Sequence, residues 1–197
     1  MTASRRAAPC IAWLFVAALY ALCAIAGSFA PHEAIDWQPG LALSQPWRAF
    51  SAIGVHYSGA HLAGNLAGIA LAAVYGIAAM VPPRLAWAWL VAWPLTHVGL
   101  LLRPDLLHYG GLSGVVHAGV AAITVWVLAT ARTLAQRWVG ALVAIGFVGK
   151  LISEAPWGPT LRQPAGWDIS VAPIVHTTGA IAGALCAIVA LLIARRA

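Results

Sequence analysis

The chain has 197 residues, of which 62% are hydrophobic and only 8% are charged, and its mean hydropathy is +0.86. A soluble domain carries about 25% charged residues, so this composition excludes a soluble globular fold and indicates an integral membrane protein. The formal net charge of +6 does not indicate nucleic-acid binding, because the arginines lie at the ends of apolar runs and form no basic patch with interleaved aromatic residues.

Six hydrophobic runs are long enough to cross about 30 Å of hydrocarbon. They predict an all-α polytopic membrane protein, a six-helix bundle in a single domain over residues 1–197. The first run follows Arg5-Arg6 and could serve as a signal peptide. We favour a retained helix, because the run is long and Pro31 directly follows the stretch where cleavage would fall. The predicted helices cover roughly residues 11–29, 59–80, 85–102, 112–131, 136–152 and 172–194.

The connections between these runs alternate in charge. The N-terminus, the second and fourth loops and the C-terminus carry Arg5, Arg6, Arg84, Arg132, Arg137, Arg195 and Arg196. The positive-inside rule places them in the cytoplasm, together with both termini. The other loops contain all five acidic residues and four tryptophans, and we predict that they face outward. These residues are Glu33, Asp36, Asp105, Glu154, Asp168, Trp37, Trp47, Trp157 and Trp167.

The stretch from Gly110 to His117 places a serine, Ser113, between glycines where a loop becomes an apolar helix. Glycines allow a sharp turn and a close approach to the hydroxyl. Taken alone, such a small-residue cluster is more typical of tight helix packing than of catalysis. In the predicted topology, a chain whose N-terminus is cytoplasmic enters its fourth helix from the outer face of the membrane. Ser113 should therefore lie near that face.

Other polar residues are predicted at the same depth. His61 and Asn65, four apart on the second helix, share one helical face, and His176 lies about one turn into the sixth. Singly, His61 and Asn65 could form structural hydrogen bonds between helices, and His176 could contact lipid headgroups. Polar groups at membrane depth are costly unless they are paired or line a wet cavity. Their convergence with Ser113 therefore favours a functional site.

A serine hydroxyl becomes a good nucleophile when a nearby base takes its proton, and histidine suits that task near neutral pH. Two histidines compete for this role. We favour His176 over His117, because His117 lies one turn below Ser113 on the same helix and deeper in the membrane. The backbone N–H of Ser113, with His61 and Asn65, could stabilise an oxyanion. No acidic residue falls within a predicted helix near the site, so we expect a Ser–His dyad without a third member.

This pattern resembles that of rhomboid intramembrane serine proteases. The resemblance covers about residues 47–183 in the family's order and spacing, and it implies Ser113 as nucleophile, His176 as general base, and His61 and Asn65 as oxyanion donors. Gly179 and Gly183 would let the sixth helix approach the fourth closely. The matching residues are Trp47-Arg48, His56-x4-His61-x3-Asn65, Gly111-Leu112-Ser113-Gly114 and His176-x2-Gly179-x3-Gly183.

One position departs from the commonest rhomboid pattern. Where many members have a tyrosine that stacks on the catalytic histidine, this chain has His117. A Gly-Leu-Ser-Gly-Val-Val-His sequence in a minimal six-helix chain is similar to the rhombosortase subfamily. That similarity implies a bacterial inner-membrane enzyme, open to the periplasmic side, that cleaves proteins with a C-terminal Gly-Gly, a transmembrane helix and a basic tail. Transfer of the product to another nucleophile, as in sortases, would also be possible.

The expected partners are thus a transmembrane protein substrate and the lipid bilayer, with no nucleic acid and no cofactor. No metal site is predicted, because Cys10, Cys23 and Cys186 lie inside apolar runs at no metal-binding spacing. Three alternatives stay open: a general rhomboid protease with other substrates, a non-catalytic rhomboid-like protein that binds membrane clients, and a small transporter. The transporter is the least favoured, because the acidic residues lie outside the helices.

Overall fold

A computed structural model describes residues 3–195, with side chains from residue 10 onward. The side chains of Arg5 and Arg6, and Arg196, lie outside the described residues. Among the described residues, six helices are long and apolar enough to cross a membrane, judged by length and composition. This confirms the all-helical prediction, while the side on which the termini lie stays a prediction. The helices are α1 (Ala3–Gly27), α2 (Gly59–Ala78), α3 (Pro83–Val98), α4 (Ser113–Thr130), α5 (Leu134–Ser153) and α6 (Pro173–Ala194).

Local sequence signals set where several of these helices begin. The Ser58 hydroxyl caps α2 by accepting a hydrogen bond from the backbone N–H of His61. Thr133 and Gln136 form a reciprocal capping box at the start of α5. Prolines begin α3 and α6, where the missing N–H costs no hydrogen bond. The boundaries of the other five helices agree with the predicted runs to within four residues, whereas α1 begins at Ala3, eight residues before the predicted start at residue 11.

The core of the bundle is organised around Trp89 on α3, which is fully buried. Trp13 of α1 stacks on it with ring centroids 4.3 Å apart, and the Tyr20 hydroxyl donates to its backbone carbonyl at 3.0 Å. The Trp89 indole N–H in turn donates to the carbonyl of Val115 on α4 at 2.7 Å. These contacts join α1, α3 and α4, so the helix predicted as retained supplies part of the core.

The closest helix pair is α4 with α6, which approach at two glycines of α6. A Cβ added at Gly179 would overlap the carbonyl group of Gly114, and one added at Gly183 would overlap that of Ala118. Only a hydrogen atom fits at either position, which is the physical basis of small-residue packing between membrane helices. Gly114 is also crowded, since its own Cβ would lie 2.9 Å from the carbonyl oxygen of Val175.

The long connection between α1 and α2 fixes the segment that precedes Ser113. Trp37 and Tyr109 form an antiparallel bridge with two backbone hydrogen bonds of 2.7 and 2.9 Å. Arg48 is buried, pairs with Asp36 at 3.0 Å and donates to the backbone carbonyl of Glu33. Its neighbour Trp47 is 53% exposed. In the Trp47-Arg48 pair, the arginine therefore holds the connection together while the tryptophan faces outward.

Candidate active site

The turn before α4 depends on one glycine. Gly111 adopts φ +137°, a conformation that side chains rarely allow, and a Cβ there would lie 2.9 Å from Nε2 of His61. The Tyr109 hydroxyl donates to the Gly111 carbonyl at 3.1 Å, and the Gly111 N–H donates to the carbonyl of Ala52 at 2.9 Å. The turn is thus held from two sides, and it delivers Ser113 as the first residue of α4.

Ser113 and His176 meet across the α4–α6 contact. The serine hydroxyl oxygen lies 3.0 Å from Nε2 of His176, a normal hydrogen-bond distance. The His176 side chain is nearly fully buried, and Gly179 lies one turn further along the same helix. Close packing at the glycine therefore brings the two side chains within reach of each other. This is the geometry that the sequence predicts for a nucleophile and its base.

His117, the rival base, is oriented away from the Ser113 hydroxyl. Its Nδ1 donates to the backbone carbonyl of Ser113 at 2.6 Å, and its Nε2 accepts from the ammonium of Lys150 at 2.5 Å. With both ring nitrogens engaged, it cannot also accept the serine proton. The His117 ring stacks on His176 instead, with centroids 4.1 Å apart and planes 13° from parallel. His117 therefore packs against one face of the His176 imidazole.

Glu154 contacts His176 as well, so the expectation that no acidic side chain lies near the site is wrong. Its carboxylate oxygen Oε2 lies 2.8 Å from Nδ1 of His176. The sequence placed Glu154 in a loop, but it directly follows α5 with helical dihedrals (φ −75°, ψ −11°). It therefore continues the path of the helix and lies one turn beyond Lys150, with which it pairs at 2.8 Å. The i, i+4 spacing of a lysine and a glutamate was the available signal.

The Glu154 carboxyl lies beyond the membrane-spanning part of α5, and its side chain is about one quarter exposed. Burial raises its pKa, but hydrogen bonds and opposite charges from His176 and Lys150 outweigh that effect and hold the pKa at about 2. The group is therefore a carboxylate at neutral pH. An ionised carboxylate only accepts hydrogen bonds, so the proton shared with His176 resides on Nδ1 of the imidazole.

The proposed oxyanion donors lie on the α2 side of Ser113. His61 Nδ1 accepts a hydrogen bond from the backbone N–H of Tyr57 at 3.4 Å, which leaves its Nε2 as the N–H donor. The side-chain nitrogen of Asn65 is buried and has no hydrogen-bond partner among the described residues. Both residues line the cavity that contains Ser113. A buried amide N–H without a partner costs free energy. The Asn65 amide is therefore free to donate to a negatively charged oxygen that forms in the cavity.

His56, predicted as a supporting residue, lies behind His61 and outside this cavity. Its ring centroid is 4.8 Å from that of His61, and its Nδ1 lies 3.3 Å from the carbonyl oxygen of Gly54. Burial lowers the pKa of His56, which favours the neutral imidazole. It therefore supports the position of His61 and does not face Ser113 directly.

The cavity over Ser113 has a volume of about 620 Å³ and is bordered by α2, α4, α6 and the α5–α6 connection. That connection is fastened at its far side, because the Ser58 hydroxyl donates to the carboxylate of Asp168 at 2.9 Å. Trp167 lies over Gly64 on α2 and lines the cavity. A space of this size accommodates several residues of an extended peptide next to the serine.

No group of three or more histidine, cysteine or acidic side chains is arranged to hold a metal ion within the part of the chain that the structure describes. Comparison of the chain with protein-family models, curated proteins and solved structures finds no match in any of the three.

Proposed function

We propose that this protein is an intramembrane serine endopeptidase that cleaves membrane-anchored proteins. The observation that carries the proposal is the 3.0 Å contact between Ser113 Oγ and His176 Nε2. It lies at the wall of a large cavity in a bundle of membrane-type helices. A nucleophile, a base and unpaired donors at one wall are the elements that acyl transfer requires.

The reaction follows from these contacts. The Ser113 oxygen attacks the scissile carbonyl carbon while His176 takes the hydroxyl proton on Nε2. The negatively charged oxygen faces the Asn65 amide and the His61 ring, which can donate to it. The peptide C–N bond then breaks, His176 returns its proton to the departing amine, and an ester on Ser113 remains. Water, or an amine in a transfer reaction, attacks this ester, and the proton passes back through His176 to the serine.

The proposed substrate class rests on the resemblance to rhombosortases together with a physical requirement. A transmembrane helix hides its carbonyl groups in hydrogen bonds, so the scissile segment must be unwound before Ser113 can attack. Glycines unwind readily, because they gain the most conformational freedom outside a helix. A substrate with a Gly-Gly segment before its membrane helix and basic tail meets this requirement.

The proposed location is a bacterial-type inner membrane, with the cavity opening to the periplasmic side. The arginines Arg84, Arg132, Arg137 and Arg195 lie at helix ends opposite those where α2, α4 and α6 begin. The positive-inside rule assigns that arginine-rich end to the cytoplasm. Ser113 would then face the outer leaflet, where water can reach the ester.

The test compares the purified protein with its Ser113→Ala variant in detergent. A fluorophosphonate probe should label the parent protein and leave the variant unlabelled, with both unfolding at the same temperature. A reporter that ends in Gly-Gly, a hydrophobic helix and a basic tail should be cleaved by the parent only. Labelling without cleavage of this reporter would favour a general rhomboid protease. The absence of both labelling and cleavage would overturn the proposal and favour a non-catalytic protein that binds membrane clients.

A further inference from the structure

Glu154 and Lys150 form a second layer of charged residues around His176, outside the nucleophile and base that the sequence pattern indicates. Lys150 lies in the last turn of α5, and Glu154 directly follows this helix. Only a small share of α5 is buried in the protein. Two charged residues at the end of this weakly packed helix nevertheless contact the buried imidazole of His176.

Glu154 determines which nitrogen of His176 carries the proton. Its carboxylate accepts from Nδ1 at 2.8 Å, so the neutral ring is protonated there. Nε2 then has a free lone pair directed at the Ser113 hydroxyl, 3.0 Å away. The opposite tautomer would present an N–H to the serine and could not accept its proton. The correct form of the base is thus selected before any substrate arrives.

The same carboxylate stabilises the charged form of the base. When His176 takes the serine proton, an imidazolium forms beside an ionised Glu154 at hydrogen-bond distance. Opposite charges in a partly buried site favour this state more strongly than they would in water. The interaction is greater in the transition state than in the ground state, and only such a difference accelerates the reaction.

Lys150 fixes two neighbours of His176 at once. Its ammonium lies 2.8 Å from Oε1 of Glu154 and 2.5 Å from Nε2 of His117. The ammonium also lies 3.3 Å from Nδ1 of His176. Neither nitrogen accepts from the other, because both donate to the Glu154 carboxylate. The imidazole of His176 is thereby bounded at one edge by the carboxylate and on one face by the stacked His117 ring, and Lys150 holds both.

From these contacts we infer that Glu154 and Lys150 are positioning residues that convert the Ser113–His176 pair into a Ser–His–Glu triad anchored by an ammonium group. The inference rests on the proposed function, because a triad has meaning only if Ser113 is a nucleophile. It differs from that proposal in assigning part of the activation to the end of α5, through residues that do not touch the substrate carbonyl.

The experiment measures the rate of fluorophosphonate labelling of the full-length protein in detergent, which requires no knowledge of the substrate. Glu154→Gln should slow labelling by about 100-fold or more, within the range of a lost base-orienting interaction. Glu154→Asp should recover part of this loss, because it restores a carboxylate on a shorter side chain. Glu33→Gln is the matched control, since Glu33 is exposed in the first connection, and it should label at the parent rate.

A spectroscopic measurement separates this role from a merely structural one. In protein labelled with 15N-histidine, His176 should be protonated on Nδ1 in the parent, and Glu154→Gln should shift it toward the Nε2-protonated tautomer. The His176→Ala variant identifies the resonance. Lys150→Met keeps the length of the side chain without its charge, and it should slow labelling by about 10-fold while leaving the Nδ1 tautomer in place.

The outcomes distinguish the two proposals. If the parent and the Glu33→Gln control both fail to label, the proposed function is wrong. If both label, and Glu154→Gln labels as fast with an unchanged tautomer, the triad inference is wrong and the proposed function stands. Should Glu154→Gln fail to fold, Glu154→Asp and Lys150→Met decide, because parent-like labelling by both of these variants would overturn the inference.

Discussion

Placing a single methyl group at Gly179 tests whether close helix packing creates the Ser113–His176 contact. The Cβ of Gly179→Ala would lie only 2.7 Å from the carbonyl carbon of Gly114 and would overlap its oxygen. Carbon atoms pack at about 3.5–4.0 Å, so α4 and α6 must separate by about 1 Å here. The contact lies next to Ser113 and one turn from His176. Their 3.0 Å hydrogen bond should therefore lengthen to about 4 Å, beyond bonding range.

We expect Gly179→Ala to slow fluorophosphonate labelling by about 100-fold, the usual result of a 1 Å misplacement of reacting groups. Overpacking should also lower the free energy of unfolding by about 1–3 kcal/mol. Gly183→Ala, one turn further from the site, should be similarly destabilised but should label faster than Gly179→Ala. Thermal unfolding in detergent and the labelling rate measure the two effects separately.

The matched control is Gly146→Ala on α5, where an added Cβ would meet no heavy atom within 4 Å among the described residues. It should leave the labelling rate unchanged, and it should stabilise the helix by about 0.5–1 kcal/mol, the usual gain from replacing glycine within a helix. A Gly179→Ala protein with the parent's labelling rate and unfolding temperature would refute the packing argument.

Three further predictions concern the site itself. Asn65→Ala should reduce kcat by about 100–1,000-fold while leaving the unfolding temperature unchanged, because it removes an amide nitrogen with no partner among the described residues. A loss of stability with retained kcat would instead assign Asn65 a structural role. His117→Phe preserves ring stacking on His176 and should retain more activity than His176→Ala, and equal loss in the two variants would make His117 part of the proton transfer. For Glu154, a folded-state pKa of about 2 lies below the unfolded value of about 4.3. Its contribution to stability should therefore be present above about pH 4 and be lost as the pH falls toward 2. Thermal unfolding as a function of pH measures this loss. A Glu154→Gln variant whose unfolding temperature falls with acid as the parent's does would contradict this assignment.

The sequence alone determined the number, type and approximate boundaries of the helices. Runs of apolar residues can satisfy their backbone polar groups in hydrocarbon only as helices, so composition and run length decide this without tertiary information. The end of the bundle at which Ser113, His61 and His176 lie also followed from the alternation of helix direction. Their common depth required no knowledge of how the helices pack.

Only the tertiary structure decided which side chains around His176 touch one another. The sequence could order Ser113, His117 and His176 by depth, but the rotation of α4 and the close approach at Gly179 direct the rings. It also assigned Glu154 to a loop, because apolar run length ends α5 where the polar residues begin. Helical dihedrals at Glu154 extend the path of α5 by one residue and bring its carboxylate to the buried imidazole. Contacts of this kind depend on angles and distances between distant segments, which the order of residues along one chain does not specify.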